Sequence, residues 1–143
     1  MRRTHWKRVV AAAVLSELGV FVALFAAFGA YWLATQTPFD TIVNSRLGED
    51  ISYYVAPAAA LVTTVLAVFW AARPLTSNFV RHGVLIGLVA VLLTFGLLFG
   101  ARPEHRLMYI ISFGLRIVGG YAGGLIAQRR FATRSHAATA SAG

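Results

Sequence analysis

Two charged residues of this chain sit where charge is costly. Glu17 lies within the apolar run Val9 to Ala34, and Arg116 lies near the middle of another, Leu107 to Ala127. If those runs cross a bilayer, each charge costs about 2.5 to 3.5 kcal/mol at mid-span, so both side chains must turn from lipid toward a partner or water. Counting about 1.5 Å of rise per residue from the centre of each span, their depths differ by roughly 8 Å, a gap that two long side chains bridge. Two chemistries follow. The first is an ion pair, or a protonated Glu17 hydrogen-bonded to a neighbour, that selects one helix arrangement. The second is a proton-coupled substrate site, since a carboxyl group in low dielectric can exchange a proton for a cation, with Ser112 lining a polar path one turn before Arg116.

The elements that must position these residues are four apolar runs: Val9 to Ala34, Ile51 to Ala72, Gly83 to Gly100 and Leu107 to Ala127. Each is near or above the roughly 18 to 20 residues that a membrane-spanning helix needs. Of the 143 residues, 58% are hydrophobic and 13% charged, which is too apolar for a soluble domain of this size. The reading is an all-α polytopic membrane protein: residues 1–128 form a single domain of four transmembrane helices, and 129–143 form a disordered tail. The first run follows Arg2, Arg3, Lys7 and Arg8, but it is about twice as long as the core of a signal peptide and is expected to be a retained anchor. Cysteine is absent, so disulfides and thiolate metal sites are excluded.

The net charge of +8 raises the question of nucleic-acid binding, and the placement of the cations answers it. Arg2, Arg3, Lys7, Arg8, Arg73, Arg81, Arg129, Arg130 and Arg134 precede the first run, separate the second from the third, or follow the fourth. The alternate loops hold Arg46, Arg102 and Arg106 together with Asp40, Glu49, Asp50 and Glu104. This asymmetry orients a membrane protein with both termini in the cytoplasm, and it can add attraction to anionic headgroups. No nucleic-acid partner is expected; the lipid bilayer is. Trp6 and Trp70 at one set of helix ends, and Tyr31, Trp32, Tyr53, Tyr54 and Tyr109 at the other, form interfacial belts. A ligand contact by Tyr53 or Tyr54 is the less favoured reading of those rings.

Small residues mark where the helices should meet, because lipid supplies little hydrophobic drive between them and close backbone approach takes its place. In the fourth run, Tyr109, Ser112, Arg116, Gly119, Gly123 and Ala127 share a face, and Gly119/Gly123 and Gly120/Gly124 are overlapping G-x-x-x-G pairs. The third run contributes Gly83 and Gly87 on one face and the pair Gly96 and Gly100 on another. All eight glycines are expected to serve helix packing. The first run carries a weaker stripe of Ala12, Ser16, Gly19, Ala23, Ala26 and Ala30, with Glu17 roughly 140° from its centre at about 100° per residue. The stripe and Glu17 should therefore serve different neighbours, one inside the bundle and one toward another subunit. Pro57 should bend the second helix near its outer end.

A four-span chain of this size, with a glutamate in Leu15-Ser16-Glu17-Leu18-Gly19 and glycines in the fourth span, resembles the small multidrug resistance transporters. The resemblance implies a glutamate that exchanges protons for cationic drugs. The chain departs from that family in carrying Arg116 in its fourth span, in its long first loop, in lacking a tryptophan in its third span and in its one-sided charge, and the family is not assigned. His5, His82, His105 and His136 fall in flanks or loops, so neither a metal site nor a cofactor is expected. The turn Arg102 to Arg106 is read as solvated polar hairpin rather than catalytic, and no enzyme activity is expected.

These observations define a small integral protein of an inner (plasma) membrane, bacterial by its compact form and its alanine and arginine usage. Its activity is read first as that of a structural or interaction protein with glycine-mediated helix packing, a homo-oligomer or accessory subunit of a membrane-protein partner; the alternative is a small proton-coupled transporter or channel using Glu17 and Arg116. Reporter fusions check the orientation. Fusions after residue 143 should report cytoplasm and fusions within Thr35 to Asp50 the opposite side, and equal labelling of both from outside would overturn the topology.

Overall fold

The computed structural model describes residues 6–75, 77–100 and 103–140. Arg2, Arg3, His5 and Arg102, and 141–143 of the tail, lie outside them. The described residues are helical almost throughout: α1 (Trp6–Thr35), α2 (Phe39–Val43), α3 (Arg46–Ala72), α4 (Phe79–Thr94), α5 (Leu97–Gly100) and α6 (Arg106–Ala140), with a 3-10 turn at Pro103–His105 before α6. Four helical stretches are long and apolar enough to cross a membrane: Trp6–Thr35, Arg46–Ala72, Phe79–Gly100 and Arg106–Phe131.

Local chemistry sets the helix ends. The Ser45 hydroxyl accepts from the Gly48 N–H at 3.2 Å and caps α3, satisfying one of the donors that a helix start leaves open. Asn78 takes a left-handed backbone, φ 60°, and from there α4 begins four residues before the apolar run does. As a result His82, expected in a loop, is a buried residue of α4, with its Nδ1 3.0 Å from the Asn78 carbonyl oxygen. α4 stops at Thr94, and Gly96 separates it from the single turn of α5. At the other end of the chain, α6 runs on to Ala140, into the segment 129–143 where the sequence reading expects disorder. The backbone there has reason to stay helical, since Arg129, Arg130 and the alanines that follow are good helix formers and no glycine or proline interrupts them before Gly143.

The long first loop is folded back rather than extended. Phe39 of α2 stacks on Phe25 at 6.4 Å and meets Phe28 edge-on at 6.2 Å, while Ile42 is almost fully buried. A methyl group on Gly48 would run into the Ile42 carbonyl oxygen, so only glycine lets the start of α3 sit against α2.

α3 packs on α1 and α6, and α4 packs on α6 and α1. Val9, Ala12 and Ala13 of α1, Ala67, Val68 and Ala71 of α3, and Ile86 and Ala90 of α4 form one core, whose small side chains let three helices converge. The two overlapping glycine pairs of α6 divide between neighbours. A methyl group on Gly119 would lie 2.9 Å from the Leu61 carbonyl oxygen, and one on Gly123 would lie 3.1 Å from that of Val65, so this pair meets α3. Gly120 is pressed against the Gly83 carbonyl, and a methyl group on Gly124 would lie 2.7 Å from the Val80 Cα, so this pair meets α4. Gly87 returns the contact, 2.6 Å from the Arg116 carbonyl oxygen on the same measure.

Gly96 and Gly100 differ. A methyl group on either meets nothing within 4 Å, so the structure does not place them at a helix contact of this chain. Gly96 lies at the break after α4, and Gly100 ends α5. Substitution separates the two sets: Gly83→Leu or Gly120→Leu should overpack the α4–α6 contact and lower stability in detergent by about 1 to 3 kcal/mol or more, whereas Gly96→Leu should be close to neutral. Equal loss of melting temperature in all three variants would contradict this division.

Candidate functional site

Glu17 and Arg116 meet. Arg116 Nε donates to Glu17 Oε1 at 2.7 Å and Nη2 donates to Oε2 at 2.8 Å, the two-pronged geometry that fits a planar guanidinium to a carboxylate. Arg116 Nη1 donates to the hydroxyl of Ser112, one turn earlier on α6. Glu17 is 9% exposed and Arg116 5%. The pair spans α1 and α6, which otherwise pack on α3 and α4 rather than on each other, so two long side chains close a distance that the backbones leave open.

The neighbours of Glu17 explain why the small stripe of α1 points elsewhere. Ser16, one residue before it, shares a buried hydrogen bond with Thr64 of α3 at 2.9 Å, and a methyl group on Gly19 would lie 2.7 Å from Thr63 Cγ2. The stripe faces α3, and Glu17, about 100° around the helix from Ser16, faces α6. Both directions are therefore filled within one chain, where the sequence reading expects one of them to face another subunit.

Above the pair lies a cavity of about 440 Å³. Glu17, Ser112 and Arg116 line one part of it, and apolar side chains of α1 (Val20, Leu24, Phe28), α3 (Pro57) and α6 (Met108, Phe113) line another. Polar groups also contribute: Glu49, Ser52 and Tyr53 from the first turns of α3, His105 from the 3-10 turn, and Tyr109 from α6. The Tyr53 and His105 rings stand 6.0 Å apart. The two tyrosines treated together in sequence separate here: Tyr53 lines the cavity, while Tyr54 is 69% exposed. At the opposite end of the helices, beside the three-helix core, the gap next to Arg8 and His82 is about 10 Å³, no more than the room one water occupies.

Part of this site is readable in the sequence. Tyr109, Ser112 and Arg116 recur at steps of three and four on α6, and Glu49, Ser52 and Ala56 do so on α3. Glu17, Val20, Leu24 and Phe28 do the same on α1, whereas His105 carries no such signal, because its part in the cavity depends on how the loop before α6 is placed. Among the described residues no group of three or more histidine, aspartate or glutamate side chains is arranged to hold a metal. No family model, curated protein or solved structure matches the chain.

The pair is testable by a double-mutant cycle. Removing one member of a buried ion pair leaves the other charge uncompensated, at a cost of about 3 to 5 kcal/mol, whereas removing both leaves none. Glu17→Gln and Arg116→Leu should each lower the melting temperature in detergent more than the combined variant does. Simple additivity would show that the two residues are uncoupled.

Proposed function

We propose that the chain is a small solute-binding protein of the transporter class, lying in an inner (plasma) membrane of a bacterium with both termini in the cytoplasm. The observation that carries this reading is the juxtaposition of a cavity of about 440 Å³ with the buried Glu17–Arg116 pair. Charged groups within a spanning segment belong as a rule to substrate or ion pathways, and cavities with apolar walls and a few convergent polar groups are where solutes bind. With the termini in the cytoplasm, the cavity lies in the outer half of the protein, and the glycine-packed half closes the cytoplasmic side. Ser112 then belongs to the polar lining through its bond to Arg116.

A second reading, an accessory subunit whose ion pair is structural, is favoured by one feature: both carboxylate oxygens of Glu17 are already engaged by Arg116. Native mass spectrometry of the protein extracted gently from its own membrane separates the two. Solute binding predicts a small molecule retained at about one per chain and retained less on Ala56→Phe, which places a ring in the cavity while leaving the pair in place. A stoichiometric polypeptide partner with no small molecule would overturn the solute-binding reading in favour of the subunit.

A further inference from the structure

Arg116 has five N–H donors, and the chain supplies acceptors for three of them, the two oxygens of Glu17 and the hydroxyl of Ser112. One N–H on each terminal nitrogen has no acceptor among the described residues, in a buried side chain that lines the cavity. A buried donor gains from an acceptor, and because Arg116 lines the cavity an occupant of the cavity can supply one.

Charge narrows the acceptor. The Glu17–Arg116 pair is neutral as a unit. An anionic ligand would add a net charge to that neutral pair, and a cationic one would find both oxygens of Glu17 engaged. An uncharged oxygen, in a carbonyl or a hydroxyl group, accepts from the guanidinium without either cost. The apolar walls require that the rest of the ligand be apolar.

The route is visible on the side of the helices. Phe21 of α1 and Leu97 of α5 both line the cavity, yet they are 55% and 53% exposed. The cavity therefore reaches the outer surface of the helices at these residues, among the exposed apolar side chains Phe25, Leu93 and Phe99. A ligand dissolved in the bilayer can reach it there without passing through water.

We infer that the cavity takes an uncharged lipophile, an apolar body bearing a carbonyl or hydroxyl oxygen, which arrives sideways from the bilayer past Phe21 and Leu97 and accepts hydrogen bonds from Arg116. The inference rests on the reading of the cavity as a solute site. It is tested on the full chain in lipid nanodiscs with three photoreactive probes of one chain length, each with a terminal diazirine: a methyl ketone, a carboxylate and a quaternary ammonium. The ketone should label cavity residues such as Leu24 and Met108. Isotope-edited infrared spectra should show a bound C=O band below that of the ketone in empty nanodiscs.

In the Glu17→Leu, Arg116→Leu double variant, which removes both charges and adds no donor, the shifted band should vanish and retention should fall between about tenfold and a hundredfold, the range for losing a hydrogen bond to a charged donor. Ala56→Phe, which leaves the pair in place, should reduce the cavity labelling. Preferential labelling of the cavity by the ammonium or the carboxylate would overturn the uncharged class while leaving the solute site standing. Absence of cavity labelling by all three would overturn the solute site with it. Labelling of Leu24 and Met108 that is unchanged in Ala56→Phe would overturn the inference.

Discussion

Neither a carboxylate nor a guanidinium can be left alone in a helix long and apolar enough to span a bilayer, and the rest of this structure is arranged around that constraint. Glu17 and Arg116 satisfy it by meeting in a two-pronged ion pair, extended by Ser112. The energetic value of such a pair is small or even negative compared with apolar packing, because both ions have lost their water. Arrangements of the helices that separate the two charges are disfavoured, because each would leave a buried charge without its partner. The pair ties α1 to α6, the two long helices that do not otherwise share a packed face.

Bringing α6 within reach of Glu17 requires that α6 approach both α3 and α4 closely, and this is where the adjacent glycines matter. Gly119 and Gly120 differ by about 100° around the helix, so two overlapping pairs can serve two neighbours at once. Gly119 and Gly123 receive α3, and Gly120 and Gly124 receive α4. The Gly87 contact with the Arg116 backbone brings α4 against the residue that bears the charge, one turn from the tighter Gly83–Gly120 contact. Packing and ion pairing are therefore one arrangement rather than two independent features.

The same geometry leaves space on one side of the pair. Where small residues line α1, α3 and α4, the backbones converge; beyond Glu17, α1 turns Val20, Leu24 and Phe28 toward a gap, and α4 ends at Thr94. The folded-back α2, held by Phe39 against Phe25 and Phe28, adjoins that gap, and Val43 lines it. A cavity next to a guanidinium with two donors to spare is a chemical consequence of this asymmetry, and it is what moves the functional reading toward solute binding.

The helical class, the four apolar stretches, the two charges placed within them and the glycines able to admit close neighbours are all legible along the chain. These follow from local rules, since hydrophobic length and side-chain periodicity are properties of each segment alone. Local rules did not dictate that Gly96 and Gly100 would stand apart from any contact, that His82 would be buried in α4, or that helix would continue past Gln128. Those outcomes depend on where a neighbouring helix ends and on how a turn such as that at Asn78 sets the first residue of the next one. The partner of Glu17 and the cavity beside it belong to tertiary structure for the same reason. A residue's depth along its own helix can be counted from sequence, but which helix stands opposite, and what space remains between them, is decided only when all the helices pack together.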